Sequence, residues 1–215
     1  AKLMGDVSGR RVADLCAAPG GKALQLASMG AEVTAIDISR QRMEVLKENA
    51  ARTGLAMELV EQDARTWRPE APLDAVLLDA PCSALGIMRR HPEGVWRRDP
   101  RDLARFPSVQ RGLIDAAGEM LKPGGVLVYC VCTPSPEEGQ EVIDAAVAAG
   151  GWRRVKISPG EAPGFASALT TNGDVTTAPM QRDSKSAALE QSVAEPIKSD
   201  VFYVARLERT GRSHH

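Results

Sequence analysis

The side chains in this sequence best suited to covalent chemistry are its four cysteines, Cys16, Cys82, Cys130 and Cys132. A thiolate is a strong nucleophile near neutral pH, and a neighbouring acid can hold the group that it attacks. Cys82 follows Asp79-Ala80-Pro81, and Cys132 closes the run Tyr129-Cys130-Val131-Cys132. Free cysteines are often just small buried hydrophobes, a description that Cys130 fits. Strand alternation puts Cys130 and Cys132 on one face, so the pattern alone does not separate them. No Cys-x-x-Cys pair occurs, and His91, His214 and His215 complete no zinc spacing. Neither a metal nor a disulfide is expected in what reads as a cytosolic enzyme.

A second group of residues points to a ligand. The segment Asp14-Leu15-Cys16-Ala17-Ala18-Pro19-Gly20-Gly21-Lys22 joins a strand-like run to a helical one. Its small residues and paired glycines let backbone approach a bound molecule at the carboxyl end of a sheet. The pattern is neither Gly-x-Gly-x-x-Gly nor a triphosphate-binding loop, which counts against nicotinamide-dependent and nucleotide-hydrolysing enzymes. Asp37 ends a second strand-like run, where acids commonly accept hydrogen bonds from ribose hydroxyls. Asp63 follows a third run, and together these positions describe a pocket for a nucleoside-bearing cofactor.

The elements needed to position these groups are legible as alternation. Strands are expected at 11–15, 32–36, 57–60, 74–78, 126–131, 152–157 and 201–207. Helices are expected to about residue 29, from Ser39 to Gly54, from 108 to 121 and from 136 to 149. Ser39 is a good N-cap, Gly54 a good stop, and Lys122-Pro123-Gly124-Gly125 another stop. Regular alternation of this kind predicts an α/β fold with a doubly wound, mainly parallel sheet. The stretch from Thr170 to Asp200 is polar, lacks periodicity, and reads as a long loop.

Charge and hydropathy narrow the setting. No apolar run reaches the roughly 20 residues that cross a bilayer, so no membrane is expected. The opening Ala1-Lys2-Leu3-Met4 has no apolar core of a signal peptide, and the first motif comes so early that the chain reads as part of a longer protein. The net charge is −1. Between residues 89 and 111, however, seven arginines, Arg89, Arg90, Arg97 and Arg98 among them, stand against three acids. Such a cluster is either a solvated face or a surface for phosphates.

Taken with their spacing, these motifs resemble the RNA 5-methylcytosine methyltransferase family, and within it the bacterial 16S rRNA enzymes of the RsmB/Sun/Fmu type. The likeness rests on Asp14 to Lys22, Asp79-Ala80-Pro81-Cys82-Ser83, Arg89-Arg90-His91-Pro92, and Tyr129 to Cys132 with Glu137-Glu138. It covers residues 3–150 most closely and is weaker over 151–209. It implies a seven-stranded S-adenosyl-L-methionine-dependent domain over 1–209, working as a monomer on RNA, with a tail at 210–215 that is natural or tag-derived. By the same resemblance Cys16, Ala17, Ala18, Pro19, Gly20, Gly21, Lys22, Asp37, Asp63 and Asp79 line the cofactor site. Cys132 is the nucleophile, Cys82 assists product release, and Asp79 holds the base. Three departures stand out: Val131-Cys132-Thr133 for Thr-Cys-Ser, Ala23 for Thr, and Asp200-Val201-Phe202-Tyr203 for Asp-Gly-Phe-Phe.

The chemistry requires such groups. C5 of cytosine is a poor nucleophile until a thiolate adds at C6 and makes C5 enamine-like. An acid near N3 stabilises the developing charge, and a base in a helix must first be splayed out at a cost of a few kcal/mol. Alternative readings are a tRNA or other RNA substrate, or a non-catalytic RNA-binding assembly factor. The last needs neither Cys82 nor Cys132.

Overall fold

Apolar residues on both faces of the central strands dictate a three-layer arrangement, with helices covering each face of one sheet. A computed structural model describes residues 1–91, 104–177 and 200–211. Its elements are β1 (Arg11–Asp14), α1 (Gly21–Ser28), β2 (Glu32–Asp37), α2 (Arg40–Thr53), β3 (Glu58–Glu61) and β4 (Leu73–Asp79). There follow α3 (Phe106–Met120), β5 (Leu121–Val131), α4 (Gln140–Ala148), β6 (Trp152–Arg154), β7 (Val175–Thr176) and β8 (Tyr203–Arg209). The sheet runs β3-β2-β1-β4-β5-β8-β6, and β7 pairs with β8 off this path. The first five strands are parallel, whereas β6, β7 and β8 pair antiparallel.

Adjacent residues of β4 show the two layers. Val76 and Leu78 join the core beneath α3 and α4, with Ile114, Ala117, Val142 and Ile143. Ala75 and Leu77 face the other way, toward Leu26 of α1 and Met43 and Leu46 of α2. Burying each such leucine or isoleucine contributes about 1.5–3 kcal/mol. The caps are as expected: the Ser39 hydroxyl accepts from the Arg42 N–H, and Gly54 ends α2 with φ 68°.

The sheet differs from the expectation in three places. Among the described residues it has eight strands rather than seven, because β7 lies inside the stretch read as loop. Asp174, Val175 and Thr177 are buried there, so polarity concealed a pairing made with the distant β8. The remainder of that stretch, residues 178–199, lies outside the described residues. Next, β5 begins at Leu121, opposite Leu73, and the Lys122–Gly125 stop is an irregularity before Val126 resumes opposite Ala75. Finally, α4 starts at Gln140 rather than near 136, because Glu138 turns inward and is buried.

The first turn constrains its own sequence. Gly20 has φ +108°, and a Cβ there would lie 2.9 Å from Leu46 Cγ, a side chain with no exposed surface. Gly20→Ala should therefore cost about 1–3 kcal/mol through strain and overpacking. Thermal unfolding should show it as a Tm drop of about 3–10 °C, and an unchanged Tm would contradict this packing.

Candidate active site

Because β1, β2, β4 and β5 are parallel neighbours, the residues that end them, Asp14, Asp37, Asp79 and Val131, fall on one edge of the sheet. Over this edge the first turn is stitched down by backbone bonds. Leu15 N–H donates to Leu77 C=O at 3.0 Å, Ala17 N–H to Ile36 C=O at 3.0 Å, and Gly20 N–H to Ala17 C=O at 2.8 Å. Asp37, 2% exposed, accepts from the Ala18 N–H (3.2 Å), the Ser39 N–H (2.8 Å) and Arg42 Nη2 (2.8 Å). A carboxylate has about four acceptor positions, so roughly one remains. A Cβ at Gly21 would meet nothing within 4 Å, and Ile38, next to Asp37, is 66% exposed. Turn, acid and exposed apolar side chain thus surround open space.

Asp63 is brought to the same edge but is engaged by its neighbour, with Arg65 Nη2 2.6 Å from its carboxylate. That hydrogen bond holds the Asp63 carboxyl below its usual range. Cys16 packs against the core, and burial, followed by Asp14, pushes its thiol up. It is a packing residue of the turn with little thiolate character.

The structure separates the two cysteines that alternation left equivalent. Cys130 is buried, and its thiol donates to Asp79 Oδ1 at 3.2 Å. Burial, then the Asp79 charge, raise its pKa. Cys132 lies just beyond β5, with its Sγ 3.4 Å from that of Cys82. This contact lowers the pKa of Cys82 and raises that of Cys132. Backbone N–H groups of Cys132 and Ala84 also stabilise a charge on Cys82. The far side of Asp79 is held by Lys22 Nζ, 2.5 Å from Oδ2.

Around this pair the chain leaves little slack. Gly86 N–H donates to the Cys132 C=O at 3.0 Å, and Gly86 C=O accepts from the Val201 N–H at 3.1 Å. A Cβ at Gly86 would sit 2.3 Å from the Val201 carbonyl oxygen. Arg89 and Arg90, expected to face RNA, both pair with the buried carboxylate of Asp200 while their side chains remain 73% and 55% exposed. Arg97 and Arg98 lie outside the described residues.

Sequence reasoning passed over four contributors. Glu138 and Gln110 are buried polar residues behind Cys82, and only the pairing of Glu137 with Glu138 hinted at the first. Ile38 carried no periodic signal. Asp14, quoted with its motif but given no role, is 1% exposed with an unpartnered Oδ1. Burial, followed by the Asp79 charge, raises its pKa to about 7.

A family model described as 16S rRNA methyltransferase RsmB/F matches residues 2–208. Ribosomal RNA small subunit methyltransferase B of Klebsiella pneumoniae (strain 342) is 42% identical over 146 residues, 66% of this chain and 34% of that protein. This chain therefore spans about a third of the length of the curated relatives it matches. Among solved structures, PH0851 superposes with a TM-score of 0.77 at 28% identity, covering 96% of this chain and 44% of that one. NSun6 from Pyrococcus horikoshii with SFG gives 0.71 at 29% identity, covering 94% and 48%.

The Asp14 carboxyl makes the fold pH-sensitive. A carboxyl with a raised pKa binds its proton more tightly when folded, so stability is lost as pH rises from about 4 to about 7. Asp14→Asn should remove a penalty of at most about 4 kcal/mol. Its Tm should exceed that of the parent at pH 8 but not at pH 4; an equal difference at both would contradict the assignment.

Proposed function

This chain belongs to the 16S rRNA methyltransferase RsmB/F family, and from that premise we propose that it transfers a methyl group from S-adenosyl-L-methionine to C5 of a cytosine in 16S rRNA through a covalent cysteine adduct. The observation that carries the reading is the pair of thiols 3.4 Å apart at the ends of adjacent strands, beside Asp79. A binding module requires neither thiol.

The residues of the first turn fit the cofactor. Open space at Gly21 admits a ligand against the backbone, the exposed Ile38 offers an apolar seat for a purine, and Asp37 retains an acceptor for a ribose hydroxyl. Asp14 adds an orphan acceptor suited to a cationic group. Asp63 would share its carboxylate with Arg65. When bound, S-adenosyl-L-methionine supplies an electrophilic methyl group.

The protein's part begins with proton transfer. Cys132 gives up its proton to solvent and attacks C6 of the target cytosine as a thiolate. Asp79, pre-oriented by its fixed partners Lys22 and Cys130, accepts from the cytosine amino group beside N3 and so holds the ring, while the Lys22 ammonium offsets the negative charge that gathers at N3. Once C5 carries the methyl group, Cys82 accepts the C5 proton, the released electron pair forms the C5–C6 double bond, and the C6–S bond breaks to restore the Cys132 thiolate. The exposed guanidiniums of Arg89 and Arg90 hold flanking phosphates, in competition with Asp200.

Two substitutions separate the roles. Cys132→Ala should abolish turnover and leave cofactor affinity intact by calorimetry. Cys82→Ala should still transfer methyl groups but accumulate a protein–RNA adduct stable to denaturing electrophoresis. Full activity in Cys132→Ala would move the nucleophile to Cys130. The substrate is tested by mass spectrometry of nucleosides after incubation with S-adenosyl-L-methionine and unmodified 16S rRNA or tRNA. A rise in 5-methylcytidine is expected in 16S rRNA; a rise in tRNA alone would change the substrate, and none in either would favour a binding factor.

A further inference from the structure

Cys82 sits between two peptide groups, and each is held by a buried side chain from another element. Gln110 of α3, with no exposed surface, donates from Nε2 to the Pro81 C=O at 2.9 Å. Glu138, 3% exposed, accepts from the Ser83 N–H at 2.8 Å through Oε2. The two side chains also bond each other, Gln110 Nε2 to Glu138 Oε2, at 3.2 Å. Glu138 is pinned in turn, because the Tyr129 hydroxyl donates to its C=O at 2.6 Å. Fixing the peptide planes before and after a residue fixes its φ and ψ, and with them the direction of its Cα–Cβ bond. One buried pair therefore aims the Cys82 thiol.

The arrangement is expensive as pure structure. Burying a carboxylate among N–H donors costs several kcal/mol of lost hydration, and a well-packed apolar pair is often as stable or more so. Gln110 Nε2 and Glu138 Oε2 are spent on the peptides around Cys82, while Gln110 Oε1 is buried without a partner and the Cys132 carbonyl is held by Gly86.

We propose that Glu138 and Gln110 are positioning residues for Cys82, serving release of the methylated base rather than the attack that captures it. The inference rests on the adduct mechanism above. If Cys82 must take the C5 proton, its sulfur has to reach that hydrogen once the base is bound to Cys132. A displacement of about 1 Å can cost a factor of about 100 in such a step. The methyl transfer that precedes it uses the Cys132 sulfur and Asp79, which these two side chains do not contact.

The test uses Glu138→Gln, which keeps shape but sets a carboxamide against the Gln110 amide, and Gln110→Met, which removes the donor to Pro81. Both are compared with the parent chain, Cys82→Ala and Cys132→Ala on 16S rRNA with S-adenosyl-L-methionine. Single-turnover methyl transfer should stay within about threefold of the parent, while multiple turnover falls by about 10- to 100-fold and denaturation-resistant adduct builds up toward the Cys82→Ala level. A merely structural role would lower both rates together without adduct, and that result would overturn the proposal, as would unaltered turnover. Should Glu138→Gln not fold, Gln110→Met carries the same test. Failure of Cys82→Ala itself to trap adduct would refute the underlying mechanism; trapping by Cys82→Ala alone would refute only the positioning role.

Discussion

Bringing two sulfurs to 3.4 Å without a bond between them is the constraint that organises this molecule. Flexible turns would spread such a pair over several ångströms, so the chain has to remove their freedom. Parallel pairing of β4 and β5 aligns the strand ends, with Asp79 opposite Cys130. The Ala80 N–H donates to the Cys130 C=O and extends the ladder by one step. Beyond that point side chains take over, including the Ser83 hydroxyl bonded to Thr133 at 2.9 Å. Each turn that carries a thiol is thus bonded directly to the other.

The electrostatics of the edge follow from the same crowding. Asp14 and Cys130 lie near the charges of Asp79 and Lys22, and Lys22 supplies the compensating charge. With one ammonium between two acids, the deeper one, Asp14, is the one whose ionisation is opposed. A bound cation would relieve that opposition, so ligand occupancy and the charge of Asp14 are thermodynamically linked.

Much of this was readable in the sequence because it is encoded locally. Alternation located the strands, Ser39 and Gly54 bounded α2, and Asp79-Ala80-Pro81-Cys82 with Cys132 marked two strand ends that the fold brings together. What escaped was non-local. Gln110 lies in the middle of an amphipathic helix and looks like any polar helix residue until Pro81 arrives beside it. Glu138 resembles a first-turn acid, yet its burial is what delays α4. The short β7 is polar, and only its partner β8 makes it a strand. The distinction between Cys130 and Cys132 depends on where β5 ends, which a period of two cannot report.

The position of β8 affects how the protein is made. This strand pairs with β5 at Cys130 and Val131, and it also carries β6 and β7. Its residues leave the ribosome long after those of β5. Until they do, the Cys130–Val131 end of β5 is an open edge with unpaired backbone groups. Tyr203, which packs over Gly139 behind the Cys82 support, is missing as well. Vectorial synthesis therefore yields the glycine-rich first turn and its helices first and the close pairing of Cys82 with Cys132 last, so a nascent chain carries its thiols without their final geometry.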